Sequence, residues 1–459
     1  MTRLLAPALA ALLVVAGLLG AQSPANAEAT ILSATIENGY PKTLTFKLSA
    51  RAESDITAVT LSYAITGRGT SAIGKPEDFT PGRQVEVQVA IQVNSGRSYI
   101  PVGSEFKYHW EITTADGKTT SGPEQTYLFL PPNREWKSVK NSFMEVHFHG
   151  DREALAATYL KAGQETYDRL GQLLNTKLTQ LPVRVMLFAD EKELDPARPG
   201  LSSGAFDAAV TTCGAKVTND IVLVIPVACG SSDRTDTLRH EFGHILTDAA
   251  GGGPLGQLPS WLDEGTAVLA QSSPGSGYIS AFDAGARASR LLPFAQMNTP
   301  SSDAGTVNLF YGQAYAMVKF LVDNGGQAKF AQLFATIRKG TRFDDALKQV
   351  YGFDVASFEA DFRTAYGVAA PNPTPVPTKP QKAQSTAVPT SRPATNASHG
   401  EGKHDSLDRE VLIFIGGALL LALLAVFLFL LSALLSANRR AAVRDEQPPS
   451  PDWRRPPGE

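Results

Sequence analysis

Two short motifs near the middle of the chain constrain its fold more than any other feature. Residues 240–244 are H-E-F-G-H, and residues 261–265 are W-L-D-E-G. Positions four apart lie on one face of an α-helix, so His240 and His244 can bind one Zn²⁺ ion at about 2.0–2.1 Å. Glu241 lies about a quarter-turn round that helix, which places its carboxylate beside the ion as a base for water.

A catalytic zinc site uses three protein ligands and keeps a fourth position open, so a third ligand must follow. One continuation, H-x-x-G-x-x-H, needs glycine and histidine where this chain has Thr247 and Ala250, which excludes it. The other continuation takes a glutamate from a later helix, and Glu264 follows His244 after 19 intervening residues. We therefore predict one Zn²⁺ per chain, with His240, His244 and Glu264 as its ligands.

The two motifs resemble those of the gluzincin zinc metallopeptidases, the thermolysin-like and aminopeptidase-like enzymes with a W-L-x-E-G-x-A helix. The resemblance extends more weakly over about residues 136–367 and implies an α+β metallopeptidase domain. It also implies peptide-bond hydrolysis by a zinc-activated water, with Glu241 as general base. Related peptidases place a tyrosine at a comparable distance after the glutamate ligand, so Tyr311 is the first candidate for a second oxyanion donor, and Tyr315 is the alternative. Packing in the core explains either aromatic residue equally well.

Two aspartates are candidates for hydrogen bonds that orient the ligand histidines, namely Asp263 and Asp248. Thermolysin-like enzymes often carry an acid four residues after the glutamate ligand, and this chain has Val268 at that position. Asp263 has an alternative role as a cap of its own helix, beside Ser260.

The resemblance also implies a sheet edge that aligns an extended substrate by strand addition. We predict this edge at residues 204–212, with a paired interior strand as the alternative. Apolar runs at 182–188 and 220–227 predict two buried strands, and Met144–His149 predicts a third. The two histidines of that third strand share one face, but an ordinary strand is favoured because no further ligand lies nearby in the sequence.

Cys213 and Cys229 are the only cysteines of the chain. An exported protein meets an oxidising compartment, which favours a disulfide between them. The bond would close a loop of about 15 residues, contribute about 3 kcal/mol in the chain-entropy model, and pin the segment before the zinc helix. Two buried free thiols are the alternative, and a cysteine-ligated zinc is disfavoured because the chain has no further cysteine.

Residues 28–133 are expected to form an all-β domain. Runs rich in Val, Ile, Thr, Tyr and Phe alternate with turn residues and predict strands at 30–36, 43–48, 56–65, 84–93, 106–114 and 125–130. Six or seven short strands in about a hundred residues are typical of a β-sandwich of immunoglobulin or fibronectin type. These strands carry no catalytic pattern, so a spacer or a ligand-binding module is the favoured role.

Both ends of the chain carry export or membrane features. Residues 1–27 resemble a signal peptide, because Arg3 precedes an apolar run and Ala-Asn-Ala at 25–27 fits a cleavage site. Residues 411–435 are uncharged and long enough to cross a bilayer, and arginines follow on the cytoplasmic side. We therefore predict a Pro/Thr/Ser-rich stalk at 369–408, a lipid-contacting transmembrane helix at 409–436 and a cytoplasmic tail at 437–459.

The sequence thus predicts a multidomain, single-pass type I membrane protein with a β-sandwich and a gluzincin-type domain at 134–368 outside the cell. Export features without an organelle address favour a bacterial cell surface. The expected substrates are peptides or proteins, and the lack of a G-A-M-E-N-like exopeptidase signature favours an endopeptidase. A net charge of −3 without a basic stripe argues against nucleic-acid binding. The competing hypothesis is a membrane-tethered binding protein on an inactive peptidase scaffold, which the intact Glu241 disfavours.

Overall fold

The computed structural model describes residues 29–95, 98–199, 213–253, 257–299 and 305–369. The predicted signal peptide, the apolar segment at 411–435 and the cytoplasmic tail lie outside these ranges, as does the predicted edge strand at 204–212. Within the described ranges, none of the helices has both the length and the apolar character that a membrane crossing requires. The transmembrane topology therefore stays a prediction.

The N-terminal region is all-β, which confirms the prediction of its class. Its strands are β1 (Ala29–Gly39), β2 (Thr43–Ile65), β3 (Ser71–Gly74), β4 (Gly82–Gln92), β5 (Asn94–Ser95), β6 (Ser98–Tyr99), β7 (Glu105–Thr114), β8 (Thr119–Ser121) and β9 (Gln125–Leu128). The prediction of separate strands at 43–48 and 56–65 was wrong, because both belong to β2. The alternation of buried and outward-facing side chains continues through Ala50 and Ala52, so the strand does not end there.

Strand β2 is part of two layers of this region. Its first half pairs with β1 and β4, its second half pairs with β3 and β7, and the pairing register with β4 shifts between Arg51 and Ile56. Phe46 of the first half packs against Phe106 and Tyr108 of β7, with ring centroids 6.0 and 4.9 Å apart. The two halves of the ladder therefore face each other across a shared apolar core, as in a sandwich.

A second sheet contains five strands, β10 (Trp136–Lys140), β11 (Met144–His149), β12 (Val183–Leu187), β13 (Gly214–Thr218) and β14 (Ile221–Val224), in the order β10-β11-β12-β14-β13. The three central strands are parallel, and among the described residues β10 and β13 form the antiparallel edges. In β11, His147 pairs in register with Met186 of β12. The ring of His147 lies 3.4 Å from Glu145, and that of His149 lies 2.9 Å from Glu193.

The strands β12 and β14 of the second sheet are buried on both faces. Val183, Val185 and Leu187 point into the core that the helices cover. Met186 and Phe188, which alternate with them, belong to the core of the β-sandwich. The same alternation occurs in β14, where Val222 and Val224 face the helices while Ile221 and Leu223 face the sandwich. The β-sandwich is therefore not a free-standing spacer, because it covers the second face of β12 and β14.

The remaining elements are helical, which confirms the α+β class of the second region. The helices are α1 (Glu153–Thr166), α2 (Glu191–Leu194), α3 (Asp236–Gly251), α4 (Ser260–Ala270), α5 (Ser276–Arg287), α6 (Val307–Arg338), α7 (Phe343–Tyr351) and α8 (Val355–Ala365). A π-helical turn, Tyr167–Gly171, continues α1. The sequence predicts two separate helices, at 309–323 and 327–337, with Gly325-Gly326 between them. In the structure they are the two arms of α6, which is kinked at Gly326, where φ is 71°. Helix α5 was not predicted.

Candidate metal centre

Three side chains from α3 and α4 converge on one point. Nε2 of His240 lies 3.2 Å from Nε2 of His244, and Oε2 of Glu264 lies 3.3 and 3.4 Å from these two nitrogens. The three atoms thus form a nearly equilateral triangle. Each side chain is 13–16% exposed, so the group is mostly buried but still open to a small molecule.

The triangle has the dimensions of a zinc site. Bonds of about 2.0–2.1 Å at tetrahedral angles place neighbouring ligand atoms about 3.3–3.4 Å apart. In the described part of the chain these three residues are the one group of three metal-ligating side chains with this convergence. Oε2 of Glu264 is buried and makes no well-directed hydrogen bond within that part, although two imidazole nitrogens lie beside it. A buried carboxylate oxygen without a donor is costly, and a divalent cation would satisfy it.

Electrostatics at the triangle also favour a cation. Burial alone would raise the pKa of Glu264, but the adjacent imidazoles of His240 and His244 outweigh it and hold this pKa well below its usual range. Burial lowers the pKa of His244, and the carboxylates of Asp263 and Glu264 raise it further than burial lowers it. Two carboxylates therefore compensate positive charge at this point, whether it comes from protons or from a metal ion.

Two glycines allow the helices to approach closely enough to bring the ligands together. A Cβ atom on Gly243 would lie 3.0 Å from Cα of Ala267, so α3 packs directly on the backbone of α4. A Cβ atom on Gly265 would lie 2.3 Å from the carbonyl oxygen of Ala314 in α6. Helix α4 is therefore held between α3 and α6, with Glu264 facing the two histidines.

Asp263 contacts the ligand His244 on the other side of its ring. Oδ2 of Asp263 lies 3.0 Å from Nδ1 of His244, and the hydroxyl of Thr247 donates a hydrogen bond to the same carboxylate. Asp263 is therefore placed to orient the ring, and no cap hydrogen bond is present at the start of α4. Ser260 donates instead to the carbonyl oxygen of Asn298.

The prediction that Asp248 contacts a ligand histidine was wrong. Its carboxylate is bound by the ammonium group of Lys216 in β13, at 2.7 Å, because Asp248 lies one turn beyond His244 on the face of α3 that Lys216 contacts. The same ammonium group donates to the carbonyl oxygen of His244 at 3.3 Å. The backbone N–H of Lys216 donates to Oε2 of Glu241 at 2.7 Å.

Two tyrosines lie near the triangle. The ring of Tyr311 is 6.2 Å from that of His240, and Tyr278 of α5 stacks on Tyr311 at 5.2 Å. Burial and the nearby carboxylates of Glu264 and Glu241 raise the pKa of both phenols, so both are protonated at neutral pH and can donate a hydrogen bond. Tyr315 interacts electrostatically with Lys319 and Tyr366 instead.

The structure brings several predicted residues together and adds others that the sequence does not mark. His240, His244 and Glu264 form the triangle, while Glu241 and Tyr311 lie beside it. Lys216, Thr247 and Tyr278 were missed, because a single lysine, threonine or tyrosine in an amphipathic segment carries no pattern of its own. Their roles depend on which elements pack together, which spacing in the sequence does not specify.

Cys213 and Cys229 form a disulfide with a Cα–Cα distance of 6.1 Å. Cys213 directly precedes β13, and Cys229 lies in the loop that leads to α3. The bond therefore ties the start of the edge strand to the approach of the helix that carries the two histidines.

Among solved structures the chain is similar to native yeast LTA4 hydrolase, with 10% identity and a TM-score of 0.33, over 73% of this chain and 66% of that one. Yeast LTA4 hydrolase in complex with Bestatin matches with 11% identity and a TM-score of 0.33, over 71% of this chain and 65% of that one. The chain thus spans slightly less than two thirds of either yeast protein. The Br derivative of BhCBM56 matches with 12% identity and a TM-score of 0.16, over 21% of this chain and 88% of that one.

No curated protein matches the sequence of this chain. A family model does match it, that of the Peptidase MA superfamily, over residues 165–367. The matched segment contains α3, α4 and every member of the triangle. The segment 165–367 is thus similar to the Peptidase MA superfamily, and together with the His-His-Glu geometry this similarity suggests a zinc peptidase-like domain.

Proposed function

We propose that this protein is a zinc-dependent peptidase, with one Zn²⁺ held by His240, His244 and Glu264. The observation that carries the proposal is the triangle of two imidazole nitrogens and one buried carboxylate oxygen with sides of 3.2, 3.3 and 3.4 Å. Its dimensions suit tetrahedral zinc, and its donor set of two histidines and one glutamate is a catalytic one that leaves a fourth position open.

A Zn²⁺ ion in this site would lower the pKa of a water molecule and polarise the carbonyl of a peptide bond. Glu241 then accepts a proton from that water as the water oxygen adds to the carbonyl carbon. The same carboxylic acid gives the proton to the amide nitrogen as the C–N bond breaks, and the second water proton passes from the new carboxylic acid to the amine, so the products are a carboxylate and an ammonium group. Glu241 ends the cycle as a carboxylate.

Tyr311 is the proposed second donor to the oxygen that gains charge during the addition. Its ring lies 6.2 Å from that of His240, and its phenol is protonated because burial and the nearby carboxylates of Glu264 and Glu241 raise its pKa. A hydrogen bond from a preorganised donor stabilises the transition state more than the planar substrate. Tyr278, stacked on Tyr311, holds this ring in place.

The finer features of the proposal rest on the sequence. A signal peptide at 1–27, an apolar segment at 411–435 and the arginines that follow it support a type I protein with its catalytic domain outside a bacterial cell. The boundaries 28–133, 134–368, 369–408, 409–436 and 437–459 for the sandwich, catalytic domain, stalk, membrane helix and tail are proposed on the same basis. Endopeptidase action on peptides or proteins is the proposed specificity.

The test is digestion of a peptide library by the purified full-length protein and its Glu241→Gln variant, with the zinc content of both measured. The wild type should bind one zinc ion and cleave, and chelation should abolish cleavage until zinc is restored. The variant should keep its zinc and lose cleavage by about 10²-fold or more, since only the base is removed. A wild type that holds zinc and cleaves no peptide would refute the proposal and support the tethered binding protein.

A further inference from the structure

The edge strand β13 runs along the helix that carries the two histidines. Gly214 packs so closely on this helix that a Cβ atom there would lie 2.6 Å from Cγ2 of Thr237. Two residues further along the strand, Lys216 contacts the helix with both its backbone and its side chain. The strand thus follows α3 from its first turn toward its end.

Lys216 binds three positions on one face of α3. Its backbone N–H donates to Oε2 of Glu241 at 2.7 Å, and its ammonium group donates to the carbonyl oxygen of His244 at 3.3 Å and to Oδ2 of Asp248 at 2.7 Å. The three helical positions follow one another at intervals of three and four residues, so they share one face. One residue of the strand therefore bridges two turns of the helix.

The N–H of Lys216 is available because of the strand register. Lys216 pairs with Val222, and Cys213 accepts a hydrogen bond from Ile225 at 2.9 Å. Alternate residues of an antiparallel strand bond to the partner strand, so with Cys213 bonded to β14 the N–H of Lys216 points away from β14 and toward α3. The register shifts immediately afterwards, between Lys216 and Thr218.

From these contacts we propose that Lys216 is a positioning residue of the peptidase, an inference that rests on the proposed function above. Asp248 and the carbonyl oxygen of His244 bind the ammonium group of Lys216. These contacts fix the position of the edge strand along α3, so that the backbone N–H of Lys216 binds Oε2 of Glu241. The other carboxylate oxygen of Glu241 is then left to accept the proton of water. The ion pair between Lys216 and Asp248 thus positions the base Glu241 through the backbone of Lys216.

If Lys216 and Asp248 formed only an ion pair between strand and helix, the expected kinetics would differ. The ion pair would contribute to stability in proportion to its exposure and would leave the turnover number unchanged, since neither charged group touches the triangle. Lys319 and Asp323 on α6 provide a matched control, because their Nζ–Oδ2 distance is also 2.7 Å and both side chains are exposed.

The experiment compares full-length wild type with Lys216→Met, Asp248→Asn, the double variant, Lys216→Arg and the control Lys319→Met. Hydrogen exchange of the peptide covering 213–218, zinc content, and kcat and KM for one cleaved peptide are measured on each. Thermal unfolding identifies any variant that fails to fold, and Asp248→Asn then tests the same contact from the helix side.

We expect Lys216→Met and Asp248→Asn to speed exchange at 213–218 and to lower kcat by about tenfold to a hundredfold, with KM changed less than about threefold and one zinc retained. The double variant should lose no more than either single variant. Lys216→Arg should recover most of kcat, and Lys319→Met should match wild type.

A Lys216→Met protein with wild-type kcat, or with unchanged exchange at 213–218, would overturn the positioning role while the peptidase function stood. Parallel losses in Lys319→Met would overturn it as well, because the effect would not be specific to this contact. A wild type that cleaves no peptide would overturn both the function and the role that depends on it.

Discussion

Oδ2 of Asp263 lies 3.0 Å from Nδ1 of His244, on the side of the ring opposite the nitrogen that faces Glu264. A carboxylate at this distance favours the tautomer with its proton on Nδ1, which leaves Nε2 as the lone-pair donor for a metal ion. Thr247 donates to the same carboxylate and limits its rotation. Metal affinity should therefore depend on a residue that is not itself a ligand.

Replacing Asp263 with Asn should weaken zinc binding by about 10- to 100-fold, because the amide neither compensates the ring charge nor fixes the tautomer as strongly. Titration with a competing chelator measures this affinity. The control is Asp323→Asn, an exposed aspartate paired with Lys319 on α6, which should bind zinc as wild type does. Equal affinities for Asp263→Asn and wild type would show that the contact does not support the ligand.

Replacing Tyr311 with Phe should lower kcat by about 10²-fold and leave KM nearly unchanged, since its proposed hydrogen bond is made to the transition state. Tyr315→Phe is the matched comparison, because Tyr315 lies one helical turn away and interacts with Lys319 and Tyr366. Steady-state kinetics on one peptide decides between the two. A larger loss in Tyr315→Phe would assign the donor to that residue instead.

Removing the β-sandwich should destabilise the helical domain rather than merely shorten the protein. A fragment of residues 134–369 exposes Met186, Phe188, Ile221 and Leu223, each at most 1% exposed in the intact fold. Burial of each such side chain is worth about 1.5–3 kcal/mol, so their exposure should lower the free energy of unfolding and promote aggregation.

Light scattering and thermal unfolding of the fragment, measured beside a 28–369 fragment, test this prediction. A 134–369 fragment that is monomeric and unfolds at the same temperature as the longer one would show that the sandwich is dispensable for folding.

The pH dependence of stability should include a contribution from Glu145 of β11. The imidazole of His147, 3.4 Å away, lowers the pKa of Glu145 to about 2 from 4.5 together with Ser138 and Arg184, while burial acts in the opposite direction. Because the folded-state pKa is the lower one, the ionised carboxylate stabilises the fold above about pH 4.5. This contribution is lost as the pH falls toward 2.

Glu145→Gln should therefore be less stable than wild type at pH 7, and the difference should shrink when urea unfolding is repeated at pH 4 and pH 3. Glu124→Gln removes an exposed carboxylate and is the control. A difference between Glu145→Gln and wild type that stays constant from pH 7 to pH 3 would contradict the assignment.

Much of the candidate site followed from local sequence. The spacing of His240 and His244 is set by helix geometry, and the W-L-D-E-G motif marks the helix that carries Glu264. Runs of β-forming residues between turn residues predicted the all-β region, and compact apolar runs predicted the strands β12 and β14. The long continuous β2 and helix α6 were each predicted as two elements, because polar or glycine residues at 49–55 and 325–326 resemble breaks when viewed without their partners.

What the sequence determined by itself was the donor chemistry, because hydrogen-bonded backbone geometry repeats every 3.6 residues whatever surrounds it. Only the tertiary structure decided which side chains contact His244 and Glu241. Asp263, not Asp248, orients the histidine, Lys216 holds Glu241, and the sandwich covers the second face of β12 and β14. Such contacts join segments far apart in the chain, so they depend on the packing of whole elements, which no local pattern encodes.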